Sequence, residues 1–190
     1  MPERGAPAVK VAPGDVTDPA TARKIAEAAS QLKGELVLVN NAGFAEFGDF
    51  HESDVDGAAA MVDVMLSGTM RATHAVLPLM LADGKGTVVN VLSLAATTEF
   101  AGAAAYCAAK AGALMFSRVL SKEYRQRGVR VTSILPGSTD TPIWDPMETH
   151  PPREEMLPAA AVAEAVRDAI NAPRDRAVDE IVLTPPKGIL

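Results

Sequence analysis

The sequence contains a single cysteine, Cys107, in 190 residues. One thiol cannot form an internal disulfide or a cysteine-rich zinc site, and it is typical of proteins from a reducing compartment. We interpret Cys107 as a small buried apolar side chain. The three histidines, His51, His74 and His150, lack the spacing of metal ligands. We therefore expect no metal site.

Long apolar runs and clusters of basic residues are also lacking. No run approaches the roughly 20 apolar residues of a membrane-spanning helix. The first residues, "MPERGAPAVK", lack the apolar core of a signal peptide. A formal net charge of −6 and a pI near 5.1 disfavour binding to the phosphates of nucleic acids. We expect a cytoplasmic protein that binds neither membranes nor nucleic acid.

The sequence does contain an alternation of short runs rich in Val and Ile with longer segments of helical periodicity. This rhythm is typical of β-α-β units, and it predicts one α/β domain over residues 1–190, with a Rossmann-like parallel sheet covered by helices on both faces. The predicted strands are residues 8–12, 36–40, 87–92, 129–135 and 180–183. The predicted helices are residues 19–32, 53–81, 103–127 and 159–171.

Polar or glycine-bearing clusters follow the first four predicted strands. Ligands of open parallel sheets bind beyond the carboxyl ends of the strands, so these clusters outline a candidate groove. They are "GDVTD" (14–18), "NNAG" (40–43), Ser93 and "PGSTDT" (136–141). The Pro-rich segment 137–158 is predicted to be a loop or lid. Trp144 within it fits an apolar substrate pocket and simple loop packing equally well.

Tyr106 and Lys110 are separated by four positions on a predicted helix, so they lie on one face. A nearby ammonium favours the phenolate, which should lower the tyrosine pKa from its ordinary value of about 10. Tyr106 is thus a candidate general acid and base for a carbonyl or carbinol oxygen. Ser93, thirteen residues upstream at a strand end, is placed to donate a hydrogen bond to the same oxygen.

Ser93, Tyr106 and Lys110, together with "NNAG", "VVNVLS" and "LPGSTDT", resemble the short-chain dehydrogenase/reductase family. The resemblance runs from about Gly14 to the end of the chain, where "DEIVLTPPKG" also fits. It implies NAD or NADP as cofactor and hydride transfer to or from a small alcohol or carbonyl substrate. It assigns proton transfer to Tyr106, tyrosine acidification and ribose binding to Lys110, and substrate orientation to Ser93.

The resemblance also implies three groups of cofactor contacts, each of which has a simpler alternative. Asp15 and Val16 correspond to adenine contacts or to a polar turn before a helix. The residues of "NNAG" line the ribose and pyrophosphate, although Asn40 and Asn41 could also tie adjacent strands together. The third group holds the nicotinamide carboxamide or forms a plain turn. The last two groups are Asn41, Ala42 and Gly43, and Pro136, Gly137, Thr139 and Thr141.

Met65, in "DVMLSG", stands where the family usually has an asparagine. The family's amide holds a water beside the lysine for proton relay, whereas a thioether is at best a weak acceptor. We therefore expect a slow enzyme or an inactive one. An asparagine restored at this position should accelerate turnover if this account is correct.

The family's first β-α-β segment, with its glycine-rich turn at a helix N-terminus, has no counterpart in this sequence. Relative to the family order 3-2-1-4-5-6-7, the chain corresponds to strands 3 to 7, an N-terminally truncated sheet. The strand at 8–12 then docks directly beside 36–40, pairs with a partner chain, or has neighbours omitted from the given sequence.

Two functions follow from these features. One is an NAD(P)-dependent oxidoreductase. The other is a non-catalytic truncated relative that acts as an oligomeric structural or interaction protein. By resemblance, we expect a homodimer or homotetramer through the helices at 53–81 and 103–127.

Overall fold

The computed structural model describes residues 10–189, in which four parallel strands form the main sheet. Its order is β1-β2-β3-β6, with Asn40 of β1 paired to Asn90 of β2, and Asn90 to Ser133 of β3. The central strands β2 and β3 are buried almost throughout, as continuous apolar runs require in a sheet covered on both faces. The bounds are β1 Val37–Asn40, β2 Gly86–Val91, β3 Val129–Pro136 and β6 Glu180–Leu183.

Helices cover both faces of this sheet, as the sequence predicts. Successive residues of β2 point to opposite faces, so Val88 packs with Val76 and Met80 on one side while Val89 packs with Ala165 on the other. The first face carries α1, α2, α3 and α4, and the second carries α5. Their bounds are α1 Pro19–Ser30, α2 Val55–Val62, α3 Thr69–Ala82, α4 Ala104–Tyr124 and α5 Ala159–Asn171.

The helix predicted over 53–81 is interrupted in the middle. A π-helical turn, Asp63–Gly68, separates α2 from α3. Such turns are rare and widen the helix locally. This one contains Met65 and lies beside the candidate site.

The predicted strand at 8–12 is wrong where it can be checked. Lys10 to Ala12 form no strand, and residues 8 and 9 lie outside the described part of the chain. Val11, the largest apolar side chain of this stretch, is 82% exposed, so a strand here would not bury it, and the following Pro13 has no N–H to donate. Lys10 to Ala12 do not pair with β1 either, so direct docking is wrong for the described part of this segment. Within residues 10–189, β1 pairs with β2 alone.

The segment predicted as a loop or lid contains a small parallel ladder of its own. Thr139–Asp140 (β4) pairs with Leu157–Pro158 (β5). Between them lie two short 3₁₀ turns, Pro142–Trp144 and Arg153–Glu155. The excursion over 137–158 is therefore closed at its base; we call it the lid segment.

Two kinds of feature are missing from residues 10–189. None of the helices there combines the length and the apolar character needed to cross a bilayer. The same residues contain no cluster of three or more His, Cys, Asp or Glu side chains able to hold a metal ion.

Candidate active site

The end of β2 and the first turns of α4 bring Ser93, Tyr106 and Lys110 together. Ser93 lies just beyond β2, and its hydroxyl accepts the N–H of Ala95 at 3.1 Å, which caps a short 3₁₀ turn. Lys110 is 7% exposed, and its Nζ donates to the Val91 carbonyl at 3.2 Å. The same Nζ lies 5.6 Å from the centroid of the Tyr106 ring.

The electrostatics of this group differ in one respect from the sequence-based expectation. Burial lowers the pKa of Lys110 to about 8. Burial raises the pKa of Tyr106, against the opposing effect of a hydrogen bond with Ser93. The expected lowering of the tyrosine pKa by Lys110 is therefore wrong for this structure, because removing the phenol from water penalises the phenolate more than its neighbours favour it.

Met65 occupies the space between the loop after β1 and Tyr106. Its side chain is 3% exposed and packs in a cluster that includes Met61 and Ala109, with Tyr106 against its edge. A Cβ added to Gly43 would lie 3.2 Å from Met65 Cγ. An apolar thioether, not a polar amide, thus lines this part of the site.

The first asparagine of "NNAG" has a structural role. Asn40 donates to the Asn90 side chain at 2.8 Å and to the Thr73 hydroxyl at 3.1 Å, and Asn90 donates to Ser117 at 2.7 Å. These bonds satisfy buried polar groups and tie β1 to β2, in agreement with one of the two alternatives. Asn41, Ala42 and Gly43, by contrast, are exposed.

Val16 and Gly43 converge on the same π-helical turn. A Cβ on Gly68, at the end of this turn, would lie 2.9 Å from Val16 Cγ2, and Gly43 contacts Met65 in the same turn. The neighbouring Asp15 is exposed and accepts the Thr17 N–H at 2.8 Å, which lowers the pKa of the Asp15 carboxyl. Asp15 therefore forms a polar turn before α1, which is the simpler of the two alternatives, and the adenine contact of Asp15 and Val16 stays a prediction.

The residues after β3 form an internally bonded turn. Pro136 ends the strand, and Gly137 donates its N–H to the Leu183 carbonyl at 2.8 Å. Thr139 donates its hydroxyl to the Gly137 carbonyl at 2.9 Å, and Thr141 donates to the Thr139 carbonyl at 3.4 Å. Leu94 packs next to Gly137, where an added Cβ would lie 3.2 Å from Leu94 Cδ1, so this turn lies close to the Ser93 segment.

Phe47 is a site residue that the sequence analysis missed. Its ring centroid lies 5.5 Å from that of Tyr106, edge to face at 84°, and 5.9 Å from that of Trp144. The available signal was its position in the loop after the "NNAG" strand, four residues beyond Gly43. The sequence already offers Trp144 as a candidate for an apolar substrate pocket, with simple loop packing as the alternative.

The described residues fit one end of a nicotinamide dinucleotide. The Lys110 ammonium has three N–H donors. One donates to the Val91 carbonyl, and the other two can donate to hydroxyl oxygens of a ribose. The N-terminus of α1 is capped by the chain itself: the Asp18 carboxylate accepts the N–H of Ala20 at 2.8 Å, so a phosphate would meet negative charge there.

Comparison with known proteins identifies the family. The family model for the short chain dehydrogenase matches residues 2–152. An uncharacterized oxidoreductase of Staphylococcus aureus is 33% identical over 178 residues, which are 93% of this chain and 76% of the relative. A similar protein of Staphylococcus saprophyticus is 33% identical over 172 residues, 90% of this chain and 73% of the relative.

Solved structures give the same assignment. An alcohol dehydrogenase from Thermococcus sibiricus, complexed with 5-hydroxy-NADP, is 25% identical with a TM-score of 0.79, covering 89% of this chain and 71% of that one. A short-chain dehydrogenase/reductase from Burkholderia xenovorans is 29% identical with a TM-score of 0.79, covering 89% and 70%. The parallel sheet, the motifs and these similarities together show that the chain belongs to the short-chain dehydrogenase family of oxidoreductases.

Proposed function

We propose that this protein is an NAD(P)-dependent oxidoreductase that interconverts a small alcohol and its carbonyl compound. The convergence of Ser93, Tyr106 and the buried Lys110 at the carboxyl end of β2 carries the proposal. The relative complexed with 5-hydroxy-NADP supports the cofactor class.

Each of the three side chains has a role that follows from its surroundings. Tyr106, whose pKa is raised by burial, is protonated near neutral pH and donates its proton to the carbonyl oxygen during reduction. Ser93 donates a hydrogen bond to the same oxygen as negative charge develops on it. When bound, a reduced nicotinamide ring supplies the hydride, with two electrons, and is itself oxidised.

Lys110 has a separate role toward the cofactor. Its two remaining N–H donors suit the hydroxyl groups of a ribose, and its Val91 hydrogen bond holds the ammonium in place. The pKa of about 8 means that a large share of Lys110 is charged near neutral pH. Met65 places a thioether where the family has its relay asparagine, so we expect the proton that Tyr106 loses to be replaced slowly.

The alternative is a non-catalytic relative that keeps the fold and its association surfaces. One observation favours it: the buried thioether of Met65 lies beside Tyr106. The outer edge of β1 has no partner strand among residues 10–189, and its Val37 and Val39 are 42% and 41% exposed, which favours association.

We also propose that the chain forms a homodimer or homotetramer through the helices within 53–81 and 103–127. Met115 and Val119 lie one turn apart on α4 and are 56% and 46% exposed, and Met70 of α3 is 39% exposed. Large apolar side chains exposed on neighbouring helices are typical of an association surface. The molar mass from light scattering should fall to that of the monomer in a Val119→Glu variant.

Thermal unfolding with and without NADH or NADPH tests the proposed function. A ligand that binds only the native state must raise the Tm. Tyr106→Phe should keep this shift and lose at least about 100-fold in turnover. Tyr124→Phe is the matched control, because Tyr124 is the only other tyrosine of the chain, ends the same helix and contacts Arg127; it should retain activity.

Two results would contradict the proposal. Equal turnover in the Tyr106→Phe and Tyr124→Phe variants would remove Tyr106 from its role. No thermal shift with either cofactor, together with a stable oligomer, would favour the non-catalytic relative.

A further inference from the structure

Three aromatic side chains form a continuous surface that begins at Tyr106. Phe47 contacts the Tyr106 ring edge to face, and Trp144 follows Phe47 at 5.9 Å and 59°. His150 follows Trp144 at a centroid distance of 6.3 Å. We call Phe47, Trp144 and His150 the aromatic wall.

We propose that the aromatic wall binds the organic group attached to the reacting carbon, and that it selects uncharged ketones and alcohols with a flat aromatic substituent. The inference rests on the proposed function, because Tyr106 marks where the reacting oxygen binds.

The geometry of the wall suits a flat apolar group. Phe47 is 41% exposed although it is a large apolar residue. Aromatic rings attract one another beyond the effect of buried area, and Phe47 already makes an edge-to-face pair with Tyr106 and a tilted pair with Trp144. A substrate ring that covers Phe47 would extend this packing and remove an exposed apolar side chain from water.

The wall is held in place by bonds that involve no substrate. Trp144 donates its indole N–H to the Thr139 carbonyl at 2.9 Å. Arg153 donates to Asp145, next to Trp144, at 2.6 Å and to Asp140 at 2.8 Å. The Phe47 loop is tied by its neighbour Gly48, which donates its N–H to the Gly102 carbonyl at 2.8 Å. A preformed wall lowers the entropic cost of binding.

The charges around the wall disfavour anionic substrates. The two segments that carry it, residues 41–54 and 137–158, contain nine acidic residues and one arginine and no lysine. That arginine, Arg153, already donates to two carboxylates and to the Thr141 carbonyl. A substrate carboxylate would therefore meet negative charge and find no uncommitted cation in these segments.

Binding can be measured without cofactor or turnover. Trp144 is the only tryptophan, so its indole N–H gives the one side-chain indole signal in a proton–nitrogen correlation spectrum. Titration of the full chain with acetophenone, with cyclohexyl methyl ketone and with the para-carboxy derivative of acetophenone compares a flat, a puckered and a charged probe of the same ketone. We expect acetophenone to bind about fivefold more tightly than the puckered probe and at least about tenfold more tightly than the charged probe.

Two variants locate the effect. Phe47→Ala should weaken acetophenone binding about tenfold and lower kcat/KM for its reduction by a similar factor. Phe50→Ala is the matched control, since Phe50 is 60% exposed in the same loop but lies outside the wall; it should change neither quantity. Both side chains are exposed enough for the variants to fold.

Each outcome separates this inference from the proposed reaction. Equal binding of the charged and neutral aryl ketones, or equal effects of Phe47→Ala and Phe50→Ala, overturns the inference. Turnover confined to polyols or hydroxy acids also overturns it and leaves the reaction intact. Selective acetophenone binding at Trp144 without turnover supports the inference and contradicts the proposed reaction.

Discussion

Lys110 is a cation placed inside the protein, so replacing it with an apolar side chain should stabilise the fold. Its pKa falls from 10.5 to about 8, which at about 1.4 kcal/mol per pKa unit corresponds to about 3 kcal/mol against the buried ammonium. Lys110→Met removes this penalty but leaves the Val91 carbonyl without its donor, at a cost of about 1 kcal/mol. We expect a net stabilisation of about 2 kcal/mol near neutral pH, with loss of cofactor-dependent activity.

The pH dependence of this gain follows from the direction of the pKa shift. Between about pH 8 and pH 10.5 the unfolded chain keeps the Lys110 proton, whereas the native chain releases it. The unfolded state then binds more protons, so the stability of the unmodified protein rises with pH by up to about 1.4 kcal/mol per pH unit. The advantage of Lys110→Met should therefore shrink by about 2 kcal/mol between about pH 8 and about pH 9.5. The comparison is limited to pH values below about pH 10, because above it the raised pKa of Tyr106 makes the free energy of unfolding fall with pH.

Urea unfolding followed by circular dichroism at several pH values measures this effect. Lys122→Met is the control, because Lys122 lies on the exposed side of the same helix; its stability change should stay within about 0.5 kcal/mol. The reasoning fails if the stability difference between Lys110→Met and the unmodified protein is the same at every pH. It also fails if Lys110→Met destabilises the protein near neutral pH.

Two further predictions concern the site and the fold. Met65→Asn should raise the rate of ketone reduction about tenfold or more, because it introduces a polar side chain at the position of the family's relay asparagine. The buried amide should lower the free energy of unfolding by about 1–3 kcal/mol. Equal rates for Met65→Asn and Met65→Leu in steady-state assays would rule out the missing relay. Gly128→Ala should cost at least about 3 kcal/mol in urea unfolding, because Gly128 has φ 84° and its added Cβ would lie 1.9 Å from the Gly84 carbonyl oxygen. Gly34→Ala, with φ 96° but open space around it, should cost about 1–2 kcal/mol; similar losses for the two glycine variants would contradict the steric account.

Local patterns predicted most of the sheet and its helices. The helix at 159–171 has the predicted bounds, and the apolar runs of β2 and β3 lie where they were expected. These features depend on periodicities of neighbouring residues, which the sequence displays directly. The predicted strand at 8–12 failed because strand formation needs a partner and a buried face, and Val11 has neither in this structure.

The sequence likewise predicted only part of the candidate site. By itself, the sequence determined that Tyr106 and Lys110 share a helix face and that polar groups follow the strands, because helix geometry and parallel connectivity place them so. Only the tertiary structure placed Phe47 against Tyr106 and opened the helix into a π turn at Met65. It also decided the direction in which the pKa of Tyr106 shifts. Contacts between distant segments and the exclusion of water arise only when the helices and strands pack together. The spacing of residues along the sequence therefore does not predict them.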